Sequence, residues 1–301
     1  MSEAEKIYQI ITGKVGLKED AEYNKLYDPK DLWGPSLRPL AIRNFKRLVA
    51  VIYYLIAAKN IQCDLVVGAG DSGIWLAKVV EKIYLLLDLK VPTILTVPIV
   101  RFKFTYLKYK DQPLELFDNS VLVPEVKKQL KNLNELDRIL FIDDEIAYGV
   151  TVREAIKVIL KSVDQNKISK DLLVTIVAEN QEFNPNPFLE KAKANFYYFA
   201  KRTEGMNSII DYITPWEIEQ QILTHFKKEE FGPKVIINIL LDLSSKEKEL
   251  MENLYIPKPI FSYTYNKRAS QKVPNLSNLK KEFQAKLDLW INEAIEEFQS
   301  N

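Results

Sequence analysis

The sequence predicts an α/β protein with a doubly wound, mainly parallel sheet. Short apolar segments rich in β-branched residues alternate with longer segments of helical period, a pattern typical of parallel strands joined by crossover helices. Two of these apolar segments are followed directly by turns that contain glycine or acidic residues, as at the ligand-binding edge of such sheets. With 301 residues, of which 47% are apolar and 28% charged, the chain is long enough to bury a large core.

The N-terminal part of the chain, residues 1–35, is predicted as a short helix followed by irregular structure. A second helix is expected to begin near Pro39, because proline is favoured in the first helical turn, and to run to about Asn60. Its apolar residues recur at helical spacing. They are Phe45, Leu48, Val49, Ile52, Leu55 and Ile56.

The strands of the predicted sheet are short apolar runs in the middle of the chain. They cover residues 64–68, 93–104, 138–142, 172–178 and 196–200. Between most of them lie segments with helical patterns, at residues 74–87, 121–133 and 152–163. Because parallel strands need long crossover connections, this alternation predicts a doubly wound core over residues 36–202.

After Arg202 the pattern becomes mainly helical, which predicts an added C-terminal region over residues 203–301. Helices are predicted at residues 215–227, 234–254 and 276–298, although residues 235–241 also fit a strand, and residues 255–274 are predicted as a connector or arm. The last helix carries an apolar stripe, expected to pack on the protein's own body, with a homodimer interface as the alternative. The stripe consists of Leu279, Phe283, Leu287, Trp290, Ile291, Ala294, Ile295 and Phe298.

Composition excludes several classes of function. The net charge of +1 gives no global field for nucleic acid, and charged residues interrupt every apolar stretch before it could span a membrane. Cys63 is the single cysteine, so no intrachain disulfide forms and a reducing compartment such as the cytoplasm is expected. With His225 as the single histidine, a Cys/His zinc site is excluded, and any metal would have oxygen ligands, which favours Mg²⁺.

The first candidate ligand-binding segment is a glycine-rich turn, Gly68-Ala69-Gly70-Asp71-Ser72-Gly73. It follows a predicted strand and opens a helix, so taken alone it predicts a dinucleotide-binding fold. That fold needs an acidic residue at the end of the second strand, where it reaches a ribose. Asp88 precedes that strand instead, which disfavours the dinucleotide interpretation.

The second candidate segment is the apolar run that ends in Asp143 and Asp144 and is followed by a turn reaching Thr151. A phospho-receiver domain would need an acceptor aspartate two strands later, where only Glu179 is found. A Walker B strand would need a Walker A lysine, but Ile74 follows the glycine turn. Two interpretations remain from the residues: a cradle for a sugar phosphate and a purely structural pair of aspartates.

Together the two segments resemble the type I phosphoribosyltransferase family. Four apolar residues, Asp143-Asp144 and a turn ending in Gly149-Val150-Thr151 are similar to the ribose-phosphate signature of that family. Asp71-Ser72-Gly73 is close to the pyrophosphate loop of glutamine phosphoribosylpyrophosphate (PRPP) amidotransferases. The resemblance covers about residues 36–202. It implies the type I phosphoribosyltransferase fold, a reaction with PRPP and Mg²⁺, and a small nitrogenous acceptor.

The resemblance also implies a role for each segment. Asp143 and Asp144 would bind the ribose hydroxyls, directly or through Mg²⁺, and would be catalytic. The 5′-phosphate would lie on Ala147, Tyr148, Gly149, Val150 and Thr151, and the pyrophosphate on Gly70, Asp71, Ser72 and Gly73. A mobile basic segment would close over the site and neutralise the leaving group. Its basic residues are Arg101, Lys103, Lys108 and Lys110, of which Arg101 and Lys103 are the catalytic candidates.

Three residues depart from the family pattern. Tyr148 stands where a serine or threonine is usual, Val150 where a second glycine is frequent, and Glu145 where the residue is commonly small or apolar. These departures give weight to an alternative, a non-catalytic sensor or assembly protein that binds PRPP or a nucleotide on the same fold.

Overall fold

The computed structural model describes residues 1–26, 37–99, 118–146, 149–181, 194–202, 208–226, 233–243 and 263–300. Within these ranges the side chains of residues 22–26, 71, 180–181, 202 and 263–267 are not described. The strands are β1 (Leu65–Ala69), β2 (Thr93–Val97), β3 (Leu136–Ile146), β4 (Ile168–Gln181) and β5 (Asn195–Arg202).

Ten α-helices are assigned among the described residues. They are α1 (Glu3–Thr12), α2 (Leu17–Leu26), α3 (Leu37–Tyr53), α4 (Gly70–Leu86), α5 (Val123–Gln129), α6 (Val150–Ser162), α7 (Trp216–Leu223), α8 (Pro233–Leu241), α9 (Tyr263–Lys272) and α10 (Leu276–Ser300). A π-helical turn, Tyr54–Ala58, continues α3, and short 3₁₀ turns cover Asn119–Leu122, Gln165–Lys167 and Ile210–Ile213.

The five strands form one sheet in the order β2-β1-β3-β4-β5, and every neighbouring pair is parallel. The predicted α/β class and parallel sheet are therefore confirmed. From β1 the chain first goes outward to β2 and then returns past β1 to β3, so the direction of strand order reverses between β1 and β3. In open sheets of this kind, ligands bind beyond the carboxyl ends of the strands at the reversal point.

Each face of the sheet is covered by a different set of helices, which makes the sheet doubly wound. Val66, Leu140 and Val177 lie in a core with α1, α3, α4 and the C-terminal helices. Leu65 and Phe141, on the opposite face, lie in a second core with α5 and α6. Side chains of a strand alternate between faces, which explains why adjacent residues of β1 and β3 enter different cores.

The N-terminal part differs from its prediction, because the described residues 1–26 form two helices, α1 and α2, rather than one. Helix α3 follows as predicted and is buried along most of its length. Its buried residues include Arg38, Asn44, Lys46 and Arg47. A helix that is covered on several sides needs partners for such polar side chains, and α2, α7, α10, β4 and the carbonyl of Thr214 supply them.

The C-terminal helices share a core with α3 and α4. The segment 235–241, which also fitted a strand, belongs to α8, and its residues from Val235 to Leu240 are buried. Helix α9 occupies part of the predicted connector. The apolar stripe of α10 packs on the protein's own body as predicted, with Phe283 and Ile291 among its buried residues. No helix in the described ranges is long and apolar enough to cross a membrane.

Candidate functional site

The two candidate segments meet at the reversal point of the sheet. Gly68 pairs with Ile142 across β1 and β3, so the glycine turn and the acid pair leave the sheet side by side. Helix α4 begins at Gly70 directly after β1, and α6 begins at Val150 shortly after β3. Two helix N-termini, each a partial positive charge with backbone N–H groups, therefore lie at the same edge.

The glycine turn is tighter than predicted, because α4 begins at Gly70 rather than near Ile74. Gly70 has a φ of 66°, a left-handed value that suits glycine. A Cβ on Gly68 would lie 2.1 Å from the carbonyl oxygen of Gly73, and a Cβ on Gly73 would lie 2.8 Å from the carbonyl carbon of Gly68. These two glycines let the first turn of α4 pack against β1 and leave its N-terminus beside the sheet edge.

The other residues of the glycine turn are Ala69, Asp71 and Ser72. Ser72 is buried in the first turn of α4. The side chain of Asp71 lies outside the described residues. The N-cap residue of α4 is Ala69, whose side chain makes no capping hydrogen bond. The N-cap side chain therefore serves none of the first N–H groups of this helix, which suits an anionic ligand.

A β-bulge sets the direction of the two aspartates. Ile142 pairs with Val177 and Glu145 with Glu179, so Asp143 and Asp144 together oppose one residue of β4. The strand thus continues through the acid pair to Ile146 instead of ending before it. Bulges of this kind occur beside binding sites, where they re-aim side chains out of the regular alternation. Here both aspartates are buried, with 4% of their accessible surface remaining.

The predicted phosphate cradle is described in part. Gly149 has a φ of 65° and is the N-cap of α6, with no side-chain capping hydrogen bond. Val150 and Thr151 form the first helical turn, and Thr151 is buried. The predictions for Ala147 and Tyr148 lie outside the described residues, as do those for Arg101, Lys103, Lys108 and Lys110.

Asp144 has an internal counter-ion. The Nζ atom of Lys234, in the first turn of α8, lies 2.6 Å from Oδ2 of Asp144 and 3.4 Å from Oδ2 of Asp211. Both carboxylates are buried, whereas 40% of the Lys234 side chain is exposed. Asp143 is buried as well, and its Oδ1 accepts a hydrogen bond of 3.0 Å from the backbone N–H of Asp144. We call Asp144, Asp211 and Lys234 the acid–lysine cluster.

The electrostatics of the cluster follow from burial and the single ammonium. Burial alone would raise the pKa of Asp144, but Lys234 and the hydrogen bonds with Asp143 and Asp211 together hold that pKa below its usual range. Burial raises the pKa of Asp211, and the charge of Asp144 adds to the rise while Lys234 opposes it. Burial would lower the pKa of Lys234, but the two carboxylates raise it, so its ammonium stays charged.

Glu179 lies beside the cluster at the end of β4. Its Oε1 accepts a hydrogen bond of 3.3 Å from Nδ2 of Asn44, and 1% of the residue is exposed. Burial raises the pKa of Glu179 to about 8, the charges of Asp144 and Asp211 contribute to the rise, and Ser208 and Asn44 oppose it. Glu179 therefore folds as a neutral carboxyl group below about pH 8.

Replacing Glu179 with glutamine should change how stability depends on pH. The wild-type carboxyl group binds its proton more tightly when folded, so its contribution to stability is present at low pH. That contribution is lost as pH rises from the ordinary value of 4.5 through about 8. We expect Glu179→Gln to melt near the wild-type temperature at pH 5 and several degrees above it at pH 9.

Thermal melts followed by circular dichroism at both pH values measure this. The exposed acid Glu217 provides a matched control, because Glu217→Gln should shift the melting temperature by the same small amount at both pH values. A pH-independent difference between Glu179→Gln and the wild type would contradict the prediction.

Sequence reasoning missed part of this site. Asp211 and Lys234 come from the C-terminal region, and the sequence pattern points to Glu179 only as a misplaced acceptor. One signal for Asp211 is present, since it stands inside the apolar run Ile209-Ile210-Asp211-Tyr212-Ile213. A carboxylate in such a run is usually buried with a partner. Lys234 gives no comparable signal.

Mg²⁺, which the resemblance implies, would have to share Asp144 with Lys234. The ammonium lies 2.6 Å from Oδ2, and two cations at one carboxylate oxygen repel each other, so a direct metal bond to that oxygen does not fit this geometry. Mg²⁺ held by Asp143 and Asp144 in another way, directly or through water, stays a prediction.

Comparison with known proteins identifies no family for this chain. No protein-family model matches this chain, and no curated protein matches it. Among solved structures, the chain is similar to the crystal structure of TT1426 from Thermus thermophilus, with 17% sequence identity over 55% of this chain and 86% of that chain. The TM-score is 0.30, which is too low to support a conclusion about fold or function.

Proposed function

We propose that this chain binds PRPP at the carboxyl ends of β1 and β3 and acts as a phosphoribosyltransferase. The observation that carries the proposal is the pair of helix N-termini, at Gly70 and Val150, on either side of the sheet's reversal point. One helix N-terminus is a common feature. Two of them beside adjacent strands favour a ligand with two separate anionic groups.

PRPP has the right distribution of charge for these two sites. Its pyrophosphate would contact the first turn of α4, where Gly68 and Gly73 hold the helix close to β1. Its 5′-phosphate would contact the first turn of α6 and the hydroxyl of Thr151. The ribose between them would face the acid pair, with Asp143 and Asp144 beneath it.

The proposed reaction is a displacement at C1 of the ribose. A nitrogen of the acceptor forms the new bond to C1, the bond from C1 to the pyrophosphate oxygen breaks, and pyrophosphate leaves with the electron pair. The acceptor nitrogen then loses its proton to water. Negative charge near C1 would stabilise the positive charge that develops there, and helix N-termini would stabilise the leaving group.

A second candidate function is a non-catalytic sensor of PRPP or a nucleotide. The ion pair between Asp144 and Lys234 favours it, because Asp144 is buried and already has a counter-ion. A ribose hydroxyl would have to share that carboxylate with the ammonium. The sensor and the enzyme both bind PRPP, and they differ in whether pyrophosphate is released.

Thr151→Val should weaken PRPP binding about tenfold, because valine keeps the shape and removes a hydroxyl that would donate to a charged phosphate. Isothermal titration calorimetry measures the affinity. A pyrophosphate-release assay with PRPP and a panel of nucleobases and amines then separates the enzyme from the sensor. Release that depends on one acceptor supports the transferase, and binding without release across the panel supports the sensor.

Thr224→Val is the matched control. Thr224 donates its hydroxyl to the carbonyl of Gln221 on α7 and lies outside the proposed site. Its replacement should leave PRPP affinity unchanged. If the wild type fails to bind PRPP with and without Mg²⁺, both candidate functions are wrong and the acid pair is structural.

A further inference from the structure

We propose that Lys234 is a built-in cation of the ligand site, so that PRPP binds beside Asp144 without a metal ion at that carboxylate. The inference rests on the proposed function, since it names the residue that meets the ligand at the acid pair. The resemblance implies that the aspartates bind the ribose directly or through Mg²⁺, and the inference departs from the second of these.

The position of Lys234 is fixed by the core. It is the second residue of α8, directly after Pro233, and proline favours the start of a helix at that point. The residues that follow, Val235 to Leu240, are all buried, and Ile237 and Ile239 are fully inaccessible. The core thus fixes the backbone of Lys234 beside the acid pair, and the ion pair with Asp144 holds its ammonium there.

The ammonium has capacity for a further partner. A lysine ammonium carries three N–H donors, and among the described residues the contacts to Asp144 and Asp211 account for two. The side chain is 40% exposed, whereas both aspartates are buried beneath it. Of the three residues of the cluster, Lys234 therefore has the most surface open to a ligand.

The surrounding charges favour an anionic or hydroxyl oxygen at that ammonium. The N-termini of α4 and α6 at this edge add partial positive charge to that of Lys234, and the partly exposed Glu145 on β3 adds a negative charge beside it. On the buried side Asp211 contributes Oδ2, which lies 3.4 Å from the ammonium. The carboxylates thus hold Lys234 in place from below, and Lys234 presents positive charge to the ligand.

The experiment compares PRPP affinity in EDTA with affinity in millimolar MgCl₂ by calorimetry. For the wild type we expect affinities within about threefold of each other. Lys234→Met should bind about tenfold or more weakly in EDTA, because it loses a charged donor to the ligand, and should recover in MgCl₂, where the metal replaces the lost charge. Lys234→Arg keeps the charge and should bind in EDTA like the wild type.

Two variants keep the result interpretable. Lys280→Met removes another lysine that is paired with an aspartate, Asp242, on the surface, and should change neither affinity. If Lys234→Met fails to fold because two buried carboxylates lose their counter-ion, Lys234→Met combined with Asp211→Asn reduces that cost and is tested instead.

The outcomes separate this inference from the proposed function. If the wild type and Lys234→Met both bind PRPP only in MgCl₂, the proposed role of Lys234 is wrong, whereas PRPP binding itself is supported. Equal affinities of the wild type and Lys234→Met in EDTA overturn it as well. Absence of wild-type binding under both conditions overturns the proposed function together with the inference.

Discussion

Gly68→Ala should destabilise the protein severely, although it adds a single methyl group. The new Cβ would lie 2.1 Å from the carbonyl oxygen of Gly73 and 2.5 Å from its carbonyl carbon. These are backbone atoms of the first turn of α4, so no side-chain rotation relieves the overlap. Strand β1 lies between β2 and β3 and is hydrogen-bonded to both, which prevents it from moving away.

We expect a loss of about 3 kcal/mol or more in the free energy of unfolding, at the upper end of the range for overpacked cores. For a protein of this size that corresponds to a fall in melting temperature on the order of 10 °C. Urea denaturation and thermal melts measure both quantities. A variant that melts within about 2 °C of the wild type would contradict the packing argument.

Gly70→Ala, two residues further along the chain, tests the effect of backbone strain without crowding. A Cβ there would meet nothing within 4 Å, but the φ of 66° is unfavourable for alanine. Left-handed backbone costs a non-glycine residue about 1–2 kcal/mol. We therefore expect Gly70→Ala to be clearly less destabilising than Gly68→Ala.

The second large effect is expected at Lys46, in the middle of α3. Its ammonium lies 2.7 Å from Glu19, 2.9 Å from Glu293 and 2.7 Å from Glu297, and 2% of its side chain is exposed. These contacts join α3 to α2 and to α10. The carboxylates raise the pKa of Lys46 although burial opposes this, so the lysine is charged in the fold.

Lys46→Met should cost about 3–5 kcal/mol, because it leaves the buried acid Glu19 without its cation and removes the contacts to two partly exposed acids. Glu19 bears most of the penalty, since its side chain is 8% exposed whereas those of Glu293 and Glu297 are 38% and 29% exposed. Chemical denaturation at neutral pH measures the loss. Adding Glu19→Gln should recover part of it, because the most deeply buried unpaired charge is then removed.

Lys59→Met is the control for this prediction. Lys59 is also paired with a glutamate, Glu3, but their side chains are 39% and 58% exposed. An exposed ion pair is worth about 0–1 kcal/mol. Equal losses of stability for Lys46→Met and Lys59→Met would contradict the prediction, because the buried lysine with three carboxylates would then contribute no more than an exposed ion pair.

The strands and the two candidate segments could be predicted because their signals are local. The sequence predicted all five strands, and it predicted where glycines and aspartates follow β1 and β3. It also predicted the helical period of α3 and α10. A strand or helix repeats its side-chain pattern within a few residues, so a short window contains the information. Glycines at close backbone contacts are equally visible, because no other residue fits there.

The boundaries at the site were less predictable. The sequence predicted that β3 ends at Ile142 and that α4 begins near Ile74, but β3 continues to Ile146 and α4 begins at Gly70. The bulge at Asp143 and Asp144 explains the first difference. Beyond the acids, β3 still pairs with β4. The length of β3 therefore depends on the length of β4, which a short window of sequence around β3 does not contain.

By itself the sequence determined the parallel α/β core and the adjacent positions of a glycine turn and an acid pair. Tertiary structure alone decided what surrounds that pair. Lys234 follows Asp144 by ninety residues, and Lys46 meets glutamates near both ends of the chain. In the sequence, each lysine looks like an ordinary surface residue. Their charges are retained inside because distant segments bring carboxylates to them, and contacts between distant segments leave no periodic signal in the sequence.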